Sequence, residues 1–161
     1  MFPLNDIALL RVALETGRNS QRNGNLPFGC ILADAAGNIL EYGENTIITD
    51  NDTIAHCEIN LVHQLAGKYG AGFLSSCTIY AGTEPCPMCM GAIFWSGIGR
   101  LVYALSKQGY HSVAGTANPA YKFQMDPRDL LAYGGRNIGV VGPLLEEEAK
   151  QFYRDLLTEI T

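Results

Sequence analysis

The sequence predicts one α/β domain, a three-layer α/β/α sandwich in which a mixed five-stranded sheet lies between two layers of helices. The chain has 161 residues, a length that suits a single domain over residues 1–161. Apolar residues make up 47% and charged residues 17% of it, a balance typical of a globular protein. Helical and strand-like patterns alternate in the order αββαβαβ(α)βα, which favours helices packed on a central sheet. No repeat or linker divides the chain.

The first half of the chain predicts a helix, a hairpin and a second helix. Leu10 and Leu14 belong to an apolar series at helical spacing. The polar stretch that follows contains Gly24 and Pro27, which are typical of a loop. The turn at 36–38 separates two strand-like segments and so predicts an antiparallel hairpin. The predicted elements are a helix over 4–18, strands over 28–34 and 38–48, and a helix over 51–70 that begins near Thr53.

The second half predicts alternating strands and helices. Prolines at the start and Gly97 at the end of one segment show the asymmetry expected of a helix. Residues 110–133 are rich in glycine, proline and aromatic side chains, have no clear period, and are predicted to form an irregular loop with a short helix near 127–131. The remaining predicted elements are strands over 77–82, 100–105 and 137–142, and helices over 85–97 and 144–160.

Charge and composition bear on partners and compartment. The formal net charge is −5 and no cluster of lysine or arginine occurs, whereas a nucleic-acid surface normally has a basic face. Residues 1–6 lack the basic start and apolar run of a secretory signal, and no apolar stretch approaches the length of a membrane span. We therefore expect a cytoplasmic protein that binds neither a membrane nor a long nucleic acid.

The segment TEPCPMCMGAI, residues 83–93, holds two cysteines three positions apart. In a reducing compartment this spacing indicates either a metal half-site or a redox pair. Cys86 and Cys89 fall in the first turn of a predicted helix, where residues three apart share a face and the helix N-terminus favours thiolates. The spacing alone leaves both interpretations open.

The segment His56-Cys57-Glu58, thirty residues upstream of Cys86, supplies what a catalytic metal site needs. One histidine, two thiolates and a water make an open, four-coordinate zinc site, with one Zn²⁺ per chain held by His56, Cys86 and Cys89. A redox pair would leave His56 and Glu58 unexplained. Glu58 lies about 200° from His56 on an ideal helix, so both reach a metal only if it lies beyond the helix end. There Glu58 would move protons beside a water that zinc makes acidic.

The two motifs H-x-E and P-C-x-x-C together resemble the zinc-dependent cytidine/deoxycytidylate deaminase superfamily. Within it the chain is most similar to guanine and related free-base deaminases and to tRNA adenosine deaminases. The segments that carry this resemblance are PFGC (27–30), TDNDTIAHCE (49–58) and TEPCPMCMGAIFWSGIGRLVY (83–103). The resemblance implies zinc on His56, Cys86 and Cys89, proton transfer by Glu58, and a homodimer.

The same resemblance implies a set of substrate contacts. Asn45 matches an asparagine that contacts the purine, and Phe28 and Trp95 match aromatic positions that line the base pocket. Cys57 matches a small residue whose backbone N–H faces the base carbonyl. Glu84, before the P-C-x-x-C motif, is either an acid at a helix N-terminus or a contact to a substrate amine.

The predicted activity is hydrolytic removal of the exocyclic amino group of a nucleobase, with release of ammonia. A guanine-type base is the leading substrate, followed by cytosine or an aminotriazine. The alternative is a tRNA adenosine-to-inosine deaminase, although the acid-rich segment 144–160 would repel RNA phosphates. A non-catalytic, zinc-stabilised binding module is a third hypothesis, and Glu58 argues against it because a structural site has no use for that carboxylate.

Overall fold

The computed structural model describes residues 4–116 and 118–159. Five strands and the helices alternate as the sequence predicts. The helices are α1 (Leu4–Arg22), α2 (Cys57–Leu65), α3 (Ala71–Leu74), α4 (Pro87–Ser96), α5 (Lys107–Ala114), α6 (Pro127–Leu131) and α7 (Glu146–Thr158), with a 3₁₀ turn at Pro119–Tyr121. The strands are β1 (Gly29–Ala33), β2 (Ile39–Glu44), β3 (Thr78–Thr83), β4 (Arg100–Leu105) and β5 (Gly139–Val141).

The five strands form one mixed sheet in the order β2-β1-β3-β4-β5. β1 pairs antiparallel with β2 and β3, whereas β3, β4 and β5 are parallel to one another. The hairpin and the mixed five-stranded sheet predicted from the sequence are thus confirmed.

Two hydrophobic cores lie on opposite faces of this sheet, because successive side chains of a strand point to opposite sides. On β3, Ile79 packs with residues of α2 and α4, and the next residue, Tyr80, packs with residues of α1 and α7. The helices therefore form two layers around the sheet, as predicted. Gly29 allows α1 to lie close to β1, since a Cβ there would come within 2.2 Å of the backbone nitrogen of Gly17.

The predicted boundaries between β2 and α2 were wrong. β2 ends at Glu44 rather than at residue 48, and α2 begins at Cys57 rather than near Thr53. The side chain of Asn45 accepts a hydrogen bond from the backbone N–H of Ile47 (3.1 Å), and the side chain of Asp52 accepts one from that of Ile54 (3.0 Å). Such local side-chain bonds compete with both strand and helix, and so favour a structured loop.

Three helical features also differ from the prediction. α2 ends at Leu65, and the short α3 follows it where the prediction extended one helix to Gly70. α1 continues to Arg22, beyond the predicted end. The segment predicted to be irregular begins inside α5, while the short helix near 127–131 is confirmed. Residue 160, which the last predicted helix included, lies outside the described residues.

Within the described ranges, no helix is both long enough and apolar enough to cross a bilayer.

Candidate active site

The site lies where the parallel strands β3 and β4 end, the usual position of ligand sites in open α/β sheets. α2 and α4 both begin at this edge. His56 is the N-cap residue of α2 and Cys86 is that of α4, both with extended backbones. Two helix N-termini therefore meet here and favour negative charge between them.

His56, Cys86 and Cys89 converge to form a candidate metal site. Nδ1 of His56 lies 3.8 Å from Sγ of Cys86 and 3.5 Å from Sγ of Cys89, and all three donor atoms lie within 4.8 Å of one another. Tetrahedral bonds of about 2.1–2.3 Å to zinc would place neighbouring donor atoms about 3.5–3.8 Å apart. The donor set and its spacing therefore fit zinc.

The electrostatics of these three side chains also fit a cation. A hydrogen bond from Cys89, helped by His56, lowers the pKa of Cys86 to about 4. The same contact with Cys86 raises the pKa of Cys89, and a hydrogen bond with Cys86 raises the pKa of His56. One of the two sulfurs is thus a thiolate at neutral pH, and thiolates are the ligands that zinc binds most readily.

Glu58 lies in the first turn of α2 and lines a cavity of about 130 Å³ together with His56 and Cys86. Its side chain is 6% exposed, and the thiol of Cys57 donates a hydrogen bond to its Oε2 at 3.2 Å. Burial raises the pKa of Cys57 well above its usual range, so this thiol keeps its proton and donates. His56 and Glu58 reach one cavity because His56 stands outside the helix, as their angular separation required.

Four of the five predicted substrate contacts line this cavity: Phe28, Asn45, Cys57 and Glu84. The oxygen of the Asn45 amide accepts the backbone N–H of Ile47, which fixes the orientation of the amide. Its NH₂ group has no hydrogen-bond partner among the described residues and is free to donate. The ring of Phe28 packs against that of Tyr110 with centroids 5.0 Å apart.

Trp95 does not line the cavity, contrary to the prediction from the resemblance. Its side chain is 85% exposed and lies in a separate apolar groove with Phe94 and Tyr133. The reason is helical geometry, since six residues separate Trp95 from Cys89, a rotation of about 240° beyond a full turn. Within one chain, Trp95 therefore faces away from the metal ligands.

Lys107 is a cavity residue that sequence reasoning missed. It is the first residue of α5, and its Nζ lies 5.9 Å from the centroid of the Phe28 ring. Its backbone N–H donates to Oε2 of Glu84 at 3.1 Å. Burial raises the pKa of Glu84, although Lys107 partly offsets this effect. The available signal was Ser106, a residue type that caps helices.

Comparison with known proteins agrees with this geometry. Residues 4–105 match the family model described as the cytidine and deoxycytidylate deaminase zinc-binding region. The chain is 35% identical over 144 residues to a probable cytosine deaminase of Schizosaccharomyces pombe, which covers 89% of this chain and 87% of that protein. It is 39% identical over 101 residues to a tRNA-specific adenosine deaminase of Haemophilus influenzae, covering 63% of this chain and 58% of that protein.

A solved structure of the guanine deaminase from Nitrosomonas europaea has the same fold. It superposes with a TM-score of 0.74 at 22% identity, covering 98% of this chain and 86% of that one. The family match spans well over half of the chain and includes the His56, Cys86 and Cys89 cluster. The chain therefore belongs to the cytidine and deoxycytidylate deaminase family of zinc-binding enzymes.

Proposed function

We propose that this protein is a zinc-dependent hydrolytic deaminase that acts on a free nucleobase carrying both an amino and an oxo group, guanine or cytosine. The reaction replaces the exocyclic amino group by oxygen from water and releases ammonia. One observation carries the proposal, namely that Glu58 lines the same cavity as His56 and Cys86, two of the three clustered metal-ligand candidates.

The chemistry divides between the metal ligands and Glu58. His56, Cys86 and Cys89 would hold zinc, which when bound makes a water acidic enough to attack near neutral pH. Glu58 accepts one proton of the attacking water and delivers it to the ring nitrogen. It then takes the second proton, from the hydroxyl now on the ring carbon, and passes it to the amine, which leaves as ammonia while the C=O bond forms. The thiol of Cys57 holds one oxygen of Glu58 in place for these transfers.

The cavity supports a small substrate. Its volume of about 130 Å³ lies well below the roughly 300–1,000 Å³ of pockets that enclose drug-sized ligands. Phe28 offers a ring face for stacking on a planar base, and the free NH₂ of Asn45 offers a donor to an acceptor on the ring. The names of two relatives, a probable cytosine deaminase and a guanine deaminase, support the same class of substrate.

The relative from Haemophilus influenzae supports the alternative, a tRNA adenosine deaminase. The last helix argues against it, because α7 carries three glutamates in its first turn and no basic residue in its last turn. Phosphate contacts dominate binding to nucleic acid, so an acidic helix disfavours this alternative.

The decisive experiment measures ammonia release from the zinc-loaded protein. Guanine, cytosine, adenine, their nucleosides, an aminotriazine and a tRNA anticodon stem-loop are compared, with Glu58→Ala as the blank. Turnover of guanine or cytosine, absent in Glu58→Ala, is the expected result. Turnover confined to the stem-loop would replace the proposal by the RNA alternative, and equal release by Glu58→Ala would contradict the mechanism. The homodimer stays a prediction, which light scattering of the same sample measures.

A further inference from the structure

We propose that Lys107 and Glu84 together recognise the lactam edge, –NH–C(=O)–, of the substrate base. Lys107 donates to the ring carbonyl oxygen, and Glu84 accepts from the adjacent ring N–H. This inference rests on the proposed function only in taking the cavity at Glu58 as the substrate pocket. It narrows the substrate to amino-heterocycles that carry a lactam.

The ammonium group of Lys107 lines the cavity without a counter-ion. Among residues 4–116 and 118–159, no carboxylate oxygen lies within 4.0 Å of its Nζ, and this Nζ donates no hydrogen bond. The side chain is partly buried and lies over the face of Phe28. An ammonium has three donors and no acceptor, so a partly buried one without a hydrogen-bond acceptor is suited to binding an acceptor on a ligand.

The backbone around Lys107 is fixed from two sides. Its own N–H is bound by Glu84, as described above. The preceding residue, Ser106, donates from its N–H and its hydroxyl to the two carboxylate oxygens of Glu146 on α7, at 2.9 and 2.6 Å. The first turn of α5 is thereby held against both β3 and α7. A donor on a fixed backbone loses less freedom when it binds a ligand, which raises the affinity.

Glu84 supplies the complementary acceptor. Its Oε2 is occupied by the Lys107 N–H, while its Oε1 accepts no hydrogen bond from the described residues. Glu84 and Lys107 both line the cavity but form no ion pair with each other. The cavity lining therefore includes an acceptor and a donor, each available to a ligand.

A lactam is the base edge that matches this pair. Guanine presents N1–H beside its 6-oxo group, and cytosine presents N1–H beside its 2-oxo group. Adenine has no oxo group, and an aminotriazine without an oxo substituent has none either. A site built to bond a polar group rejects analogues that lack it, because its own polar atoms are then left unpaired.

Calorimetric titration of the zinc-loaded Glu58→Gln protein tests the proposal, because this variant does not consume the ligand. The probes are cytosine and 4-amino-2-methoxypyrimidine, in which the lactam is replaced by an ether. We expect cytosine to bind about tenfold or more tightly than the ether, as for a hydrogen bond to a charged group. Guanine and O6-methylguanine form a second pair.

Variants at Lys107 assign the preference to this residue. Lys107→Met keeps the apolar stem and should weaken cytosine about tenfold while leaving the ether within about twofold. Lys107→Arg should retain part of the preference. Lys68→Met, at a surface lysine paired with Glu41, is the matched control and should leave both affinities unchanged.

The outcomes separate this proposal from the proposed function. Three results would overturn the lactam proposal. They are equal binding of cytosine and the ether, no binding of any lactam base, and an undiminished preference for cytosine in Lys107→Met. If cytosine and guanine bind with the expected preference but wild-type protein releases no ammonia, the proposed function fails and the lactam reading stands. If wild-type protein deaminates a base that Lys107→Met binds as well as before, the lactam proposal fails and the proposed function stands.

Discussion

The polar groups at the two ends of the parallel strands differ in whether they have hydrogen-bond partners. Where β3 and β4 begin, Asp6 is 1% exposed and both of its oxygens are bonded. Arg100 donates to them at 2.9 and 2.6 Å, and the hydroxyl of Tyr80 donates at 2.7 Å. Where the strands end, the ammonium group of Lys107 and the NH₂ of Asn45 have no hydrogen-bond partner among the described residues, and both residues line a cavity.

This difference indicates which polar groups stabilise the fold and which are available to bind a ligand. A buried charge that is fully paired contributes to a unique structure and is costly to break. Polar groups that are held in place but left without partners are typical of a site that a ligand completes. The first group should therefore respond to mutation in stability, and the second in binding or turnover.

The largest expected effect is loss of the metal. Cys86→Ala removes the thiolate of the three-residue cluster, so we expect the purified variant to lose zinc on dialysis and to release no ammonia above background. Metal analysis alongside Cys77→Ala, a buried thiol at the opposite end of β3, is the control and should show one zinc per chain. Stoichiometric zinc in Cys86→Ala would show that the ligands have been assigned wrongly.

Replacing the proton carrier should separate chemistry from metal binding. Glu58→Gln keeps the size of the side chain but cannot accept a proton, so kcat should fall about 10²–10⁴-fold. Zinc content should stay at one per chain. Glu147→Gln, on the exposed face of α7, should leave kcat unchanged. A Glu58→Gln enzyme with wild-type kcat would contradict the assigned role.

At the opposite end, the same kind of change should alter stability and leave turnover intact. Asp6→Ala leaves the guanidinium of Arg100 without its carboxylate, and loss of one partner of a buried pair typically costs about 3–5 kcal/mol. Arg100 is 32% exposed, so water can partly replace Asp6 and the lower part of that range is expected. Urea unfolding measures the change, while kcat/KM below the unfolding transition should not move.

The control for Asp6→Ala is Glu148→Ala, which breaks the exposed pair with Arg11 and should leave the unfolding midpoint close to that of wild type. If both variants unfold alike, the buried network does not hold the fold. If Asp6→Ala instead lowers kcat in the folded protein, the separation of the two ends fails.

The sequence predicted the features that depend on local motifs and missed those that depend on contacts between distant parts of the chain. His56, Cys86 and Cys89 could be identified because each half of the motif is local and a helix start fixes its geometry. α5 could not, because its first turn is held in part by Glu146, which is forty positions away in the chain. The Asp6–Arg100 pair spans 94 positions and leaves no local pattern at all.

Trp95 shows that a resemblance in sequence does not predict which way a side chain on a helix points. The helix α4 was predicted well, yet its rotation turns Trp95 away from the cavity that begins at Cys86. A motif match carries residue types from one protein to another. It does not carry the surroundings that decide which face of a helix a substrate reaches, and those come from the packing of α4 on α2 and α6.

The smallest expected effect is a pH dependence confined to the Asp6 end. The hydrogen bond from Arg100 lowers the pKa of Asp6 below its ordinary value of 3.8. The unfolded chain therefore binds this proton at higher pH than the folded chain does, so the stabilisation is complete above pH 3.8 and is lost as the pH falls through the lower, folded value. In Asp6→Asn this part of the acid sensitivity should vanish. Urea unfolding of both proteins from pH 7 to about pH 3 should show their free energies of unfolding converging at the acid end. A constant difference would mean that Arg100 stabilises the protonated carboxyl group of Asp6 as well as the carboxylate, and that packing rather than charge holds this end of the sheet.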